Sequence, residues 1–165
     1  MLGRMIWARL FLGMALIGLL AAFLVNSAEA QSGNAPSIQA VDAWARATPL
    51  GAKNGAAYMT LINHGSSDDL LIGVSSPVAG AAQVHGMSLQ NGVMMMRPAP
   101  AIDVKAGETV SLDPDGFHVM LLDLKQPLVE GHSFPLTLFF KNSGRLQVSA
   151  KIGGMGDKSA PPASH

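Results

Sequence analysis

From Ile38 onward the chain is cut into short pieces by turn signals, and no piece is long enough for a substantial helix. The breaks fall at 48–51, 63–65, 75–77, 91–92, 105–107, 113–116, 125–127, 130–131 and 142–144. Each carries Gly, Pro, Asn, Asp or Ser, residues that supply a positive φ, fix φ, or bond their own backbone. Between them lie candidate strands at 38–46, 55–62, 70–74, 81–89, 93–97, 101–104, 109–112, 117–122, 134–140 and 146–152. Many short strands with Gly and Pro turns predict an all-β sandwich or barrel of about eight to ten strands. Pro135 cannot donate to a ladder, so the start of its strand is expected at an edge. Helical turns over 78–83 and 116–124 are alternatives too short to change the class. No internal repeat is evident.

The residues before Ile38 read differently. Arg4 and Arg9 are followed by an apolar run over 10–25, then by Asn26-Ser27-Ala28-Glu29-Ala30. This is the layout of a cleavable Sec-type signal peptide over 1–30, with Ala28-x-Ala30 before the cut. The apolar run falls short of the roughly 20 residues that span a bilayer comfortably. The expected product is exported to the periplasm, with a flexible leader over 31–37, a β domain over 38–153 and a mobile tail over 154–165. Removing 1–30 takes Arg4, Arg9 and Glu29, leaving 9 basic against 10 acidic residues. That balance offers no basic stripe for nucleic acid. The chain has no cysteine. Disulfides, thiolate metal sites and a blue-copper centre are therefore excluded.

The stretch from Val84 to Met120 concentrates chemistry. It holds His85, His118 and the methionines Met87, Met94, Met95, Met96 and Met120. Asn91-Gly92 is the strongest short hairpin signal. A two-residue turn there pairs Gln90 with Val93, Leu89 with Met94, Ser88 with Met95 and Met87 with Met96. Cross-strand partners and residues two apart share a face. So His85, Met87, Met94 and Met96 are expected on one side and Met95 on the other, unless the register slips by one. His118 and Met120 share a face of a later strand. If that strand neighbours the hairpin, both histidines and up to three methionines converge.

Thioethers are soft and neutral, so such a set selects Cu(I) over Zn²⁺, Ca²⁺ or Mg²⁺. Neither ligand type must lose a proton near pH 7. Methionine also fills irregular cores, and on the residues alone that reading stays open beside the metal site.

Further residues carry a resemblance. His85, ten residues, Met96, twenty-one residues, then His118-x-Met120 is a long-range four-point motif. With it come Ala43-Trp44-Ala45-Arg46-Ala47-Thr48, Gly51-Ala52-Lys53-Asn54-Gly55-Ala56-Ala57-Tyr58, Asn91-Gly92-Val93-Met94 and Met96-Arg97-Pro98. Pro127-Leu128 and Pro135-Leu136-Thr137-Leu138 complete it. From Trp44 to about Ile152 the chain resembles the PCuAC family of periplasmic copper chaperones. The resemblance implies a cupredoxin-like Greek-key β fold and one Cu(I) per chain on His85, Met96, His118 and Met120. It also implies delivery of copper to the CuA centre of cytochrome c oxidase subunit II, alongside Sco-type thiol proteins. The membrane enters only through that acceptor. Some family members carry a His- and Met-rich tail, whereas this tail has only Met155 and His165. Met87 is an outer or alternate ligand on this reading.

Two other classes compete. One is a copper-independent interaction module whose methionine face binds a protein partner. The other is a copper-storage or resistance protein, which needs several coppers per chain. Trp44 and Tyr58 are read as core anchors, and Asp113 to Gly116 as a turn rather than a calcium loop. His64 and His132 stand in loops without a metal role. No Ser/His/Asp or paired-carboxylate arrangement supports an enzyme.

Overall fold

Asn91 and Gly92 both take positive φ, 51° and 83°. That is the backbone a two-residue type I′ turn requires, and glycine meets it without a Cβ penalty. The computed structural model describes residues 37–162, apart from the side chains of 88–90. The signal-peptide reading of 1–30, nearly all of the leader and His165 lie outside the described residues.

Ten strands follow the predicted order. They are β1 (Ile38–Arg46), β2 (Asn54–Asn63), β3 (Asp69–Ser75), β4 (Ala79–Gln90) and β5 (Val93–Pro98). Then come β6 (Ile102–Val104), β7 (Thr109–Leu112), β8 (His118–Leu124), β9 (Ser133–Phe140) and β10 (Gly144–Gly153). No helix occurs among the described residues, and most of the two stretches 78–83 and 116–124 lies in β4 and β8. β4 and β5 pair in the register that Asn91-Gly92 predicts, from Gln90↔Val93 to Met87↔Met96. Pairing of β9 to β3 starts at Thr137, so the ring of Pro135 sits beyond that ladder.

The sheet runs β4-β8-β2-β1-β10-β9-β3 and returns from β3 to β4 through Val74↔Ala82. Seven strands thus close a barrel. β1 and β10 run parallel and the other ladders are antiparallel. Closure removes exposed sheet edges along those seven strands. β5 extends outward from β4, β6 from β3, and β7 pairs with β2 beyond the end of β8. Along one side of β2, β8 takes residues 54–57 and β7 takes 59–62.

The barrel interior is the core. Ala57, Met59 and Leu61 of β2 point into it, with Val119 and Leu121 of β8 and Leu136 and Leu138 of β9. Burial of each large apolar side chain contributes about 1.5–3 kcal/mol. Alternation puts their neighbours on the outer wall. Trp44 and Tyr58, read from the sequence as core anchors, belong to that outer wall. They are cross-strand partners, adjacent to the inward pair Ala45↔Ala57. Both are buried, but against the outside of the sheet. A buried aromatic residue looks the same in sequence from either side.

Candidate metal centre

β4 is the element that assembles the site. Its first half pairs with β8, placing His85 opposite His118 and Gln83 opposite Met120. Its second half pairs with β5, placing Met87 opposite Met96. His85 is therefore directly across from His118 and diagonal to both Met120 and Met96. Diagonal neighbours stand about 7–8 Å apart, within reach of long side chains. Val84, Val119 and Leu121 point into the core. The alternating His85, Met87, His118 and Met120 consequently face outward.

The two imidazoles lie 6.2 Å apart between centroids, inclined at 53°. His118 is buried, His85 and Met120 are half-buried, and Met96 is exposed. His118, Met120 and Met96 line one open cleft of about 350 Å³ with Arg46, Asn54 and Tyr58. Met87 is half-buried beside the group. Met94, opposite Leu89, and Met95, opposite Ser88, lie farther toward the hairpin tip.

Hydrogen bonds sort the ring nitrogens. Nδ1 of His118 donates to the Gly116 carbonyl at 3.2 Å, which leaves Nε2 as the acceptor nitrogen of the neutral ring. Nε2 of His85 lies 3.4 Å from Oε1 of Gln83, a weak contact. Nδ1 of His85 is buried and has no hydrogen-bond partner. Leaving such an atom unsatisfied costs about 1–3 kcal/mol. Burial, and secondarily the neighbouring His118, hold the His85 pKa below its ordinary value. The ring is thus kept neutral with a lone pair that no protein group uses. Metal-ligating histidines commonly donate the other ring N–H to a carbonyl or carboxyl oxygen, which orients the ring. Gly116 does this for His118, and Gln83 is placed to do it for His85. The donor set present therefore fits a soft metal ion. Among the described residues no group of three or more His, Asp or Glu could hold a harder one.

An aromatic row backs the site. Trp44 and Tyr58 rings are 4.7 Å apart, and Tyr58 lies 6.4 Å from His118. The Arg46 guanidinium stands 5.7 Å over the Tyr58 ring, and its Nε donates to the Asp157 carbonyl at 2.7 Å. Trp44, Tyr58, His118 and His85 thus occupy four adjacent strands in one row. The sequence reading missed Gln83, Tyr58 and the Gly116 carbonyl as parts of this site. Gln83 shares a face with His85 at a spacing of two, a signal that was available. A backbone carbonyl leaves no signal. His64 bonds Gln39 at 2.8 Å, and His132 approaches the Glu130 carbonyl, so each has a local partner.

Residues 38–152 match a family described as LpqE-like. The "Putative lipoprotein Lxx21020" of Leifsonia xyli subsp. xyli is 32 % identical over 133 residues, covering 80 % of this chain and 79 % of that one. Among solved structures, the copper-bound PCuAC domain from PmoF2 is 26 % identical with a TM-score of 0.61. The match covers 72 % of this chain and 93 % of that domain. Apo-DR1885 from Deinococcus radiodurans is 30 % identical with a TM-score of 0.58, over 75 % of this chain and 85 % of that one. Its Cu(I) form matches with a TM-score of 0.54 over 81 % of this chain and 87 % of that one. The barrel is thus the cupredoxin-like fold of PCuAC domains.

Proposed function

The chain belongs to the LpqE-like family and is of PCuAC type, and on that premise we propose that it is a Cu(I)-binding metallochaperone. One observation carries the reading. The register puts His85 opposite His118 with Met96 and Met120 on its two diagonals, while Nδ1 of His85 is buried without a partner. We assign His85, Met96, His118 and Met120 as ligands of one Cu(I) per chain. Copper is cargo here, so the site must hold it and also release it.

The gradient of burial suits release. Met96 is the most exposed of the four and His118 the most buried. An incoming ligand from an acceptor would displace the Met96 thioether first, then Met120, with the imidazoles last. The donors that leave copper are neutral thioethers and imidazoles, so this chain need take up no proton near pH 7 as the metal departs. The acceptor we propose is the CuA site of cytochrome c oxidase subunit II, with Sco-type thiol proteins acting alongside, in the periplasm. The relative named a lipoprotein supports an exported, envelope-associated setting. No cysteine is present to carry a thioether-linked lipid, and no helix among the described residues is long and apolar enough to cross a membrane.

The test is a Cu(I) titration of the mature protein against a competing chelator. One equivalent should bind, and the double variant His85→Ala, His118→Ala should lose about tenfold or more in affinity. Several equivalents would instead support storage. An unchanged affinity in the double variant would overturn the site.

A further inference from the structure

The described thioethers of this chain range from buried to well exposed. Met59 is 2 % exposed inside the barrel, whereas Met94, Met95 and Met96 are 53, 38 and 48 % exposed. All three lie on β5, where every residue is exposed. β5 is the terminal strand of its sheet and pairs with β4 alone among the described strands. The chain has no thiol to react first with an oxidant. Oxidant attack on methionine follows access to the sulfur lone pair.

We propose that the Met94–Met96 segment of β5 is an oxidative modification site, and that sulfoxidation of Met96 switches off copper loading. This rests on the copper reading above. A peroxide is the oxidant class. The sulfur lone pair attacks one peroxide oxygen, an S–O bond forms and the O–O bond breaks. Sulfur gives up two electrons, and the departing oxygen takes a proton and leaves as water or an alcohol. The product at Met96 is a polar sulfoxide in place of a soft thioether, so the Cu(I) preference of the site falls. Position separates the three sulfurs. Met96 is opposite Met87 and diagonal to His85, whereas Met94 and Met95 sit toward the hairpin tip. Oxidation at Met94 or Met95 leaves the four donors intact.

A bound soft metal draws electron density from the sulfur and covers one of its two lone pairs, which slows attack on the peroxide. The loaded carrier is therefore protected at Met96 and the empty carrier is not. Oxidation would bar empty chains from loading until a methionine sulfoxide reductase restores the thioether.

The experiment treats the metal-free protein with hydrogen peroxide and follows each methionine by peptide mass spectrometry. A parallel sample carries Ag(I), a soft stand-in for Cu(I) that peroxide does not cycle. Met96 should oxidise about tenfold or more faster than Met59. Ag(I) should slow Met96 by about tenfold and leave Met94 within about twofold. The oxidised protein should lose Cu(I) affinity to the extent that Met96→Leu does, and sulfoxide reductase should restore it. Met96→Leu keeps the apolar volume of an exposed position, so it should fold. The inference is overturned if Met96 oxidises no faster than Met59. It is also overturned if oxidised protein keeps its affinity while Met96→Leu loses it. If neither Met96→Leu nor the double histidine variant weakens Cu(I), the copper reading itself has failed and this inference falls with it.

Discussion

His85 carries a conflict between stability and function at a single side chain. Its buried Nδ1 has no partner, which costs the metal-free fold. An apolar residue there would remove that cost and also remove a proposed ligand. His85→Leu should therefore leave the melting temperature of the metal-free protein unchanged or raised, while lowering Cu(I) affinity by about tenfold or more. The depressed pKa of His85 adds a pH signature. Above about pH 6.5 the ring is neutral in both folded and unfolded chains and contributes nothing to the pH dependence. Below that, the unfolded chain takes up a proton that the folded chain resists. The metal-free protein should lose stability on acidification from about pH 6.5, and less steeply in His85→Leu. Melting curves across pH for both proteins check this. A lower melting temperature for His85→Leu at neutral pH would contradict it.

At the scale of elements, the hairpin β4–β5 is the part that the sequence made most legible. Asn91-Gly92 dictates a two-residue turn, the turn dictates the register, and the register places Met87 opposite Met96. The dependence can be turned into a prediction. Gly92→Val forces a β-branched residue into a positive φ of 83°. The tip of the hairpin lies outside the seven closed strands, so the barrel should melt within a few degrees of wild type. Cu(I) affinity should nevertheless fall by about tenfold, because Met96 loses its register. Chelator competition and calorimetry on the same variant separate the two effects. Gly86 shows a second constraint on this element. A Cβ there would stand 2.8 Å from the ring of Phe117, so any side chain at this position must displace that ring. The pairing of β4 with β8 was less legible. Val84↔Val119 and His85↔His118 join residues far apart in sequence, and no local signal specifies a non-local neighbour. The spacing of His and Met could state only the condition that the two strands meet.

At the scale of the molecule, the division between inside and outside sets what the site tolerates. The core lies on one side of β8 through Val119 and Leu121, and the proposed copper face lies on the other through His118 and Met120. Leu121→Ala should cost about 2–5 kcal/mol of stability, yet below the melting transition it should bind Cu(I) as wild type does. Urea denaturation and titration of one preparation test that separation. Gly and Pro turn signals between short apolar pieces let the sequence predict many short strands and an all-β barrel or sandwich. Closure was not visible, because it rests on Val74↔Ala82 and on the parallel ladder of β1 with β10. The sidedness of Trp44 and Tyr58 was hidden for the same reason, since only the closed barrel defines an outside. Asp157, after β10, also joins that outer face, where its carbonyl accepts from the Arg46 side chain that stands over Tyr58.

The proposed centre is a mixed imidazole and thioether site for Cu(I), with ligands from β4, β5 and β8. X-ray absorption at the copper edge, on the protein loaded with one equivalent of Cu(I), reads that shell most directly. About two imidazole nitrogens and about two thioether sulfurs per copper are expected, with one sulfur lost in Met96→Leu. A shell of nitrogen and oxygen without sulfur, or one unchanged in Met96→Leu, would contradict it.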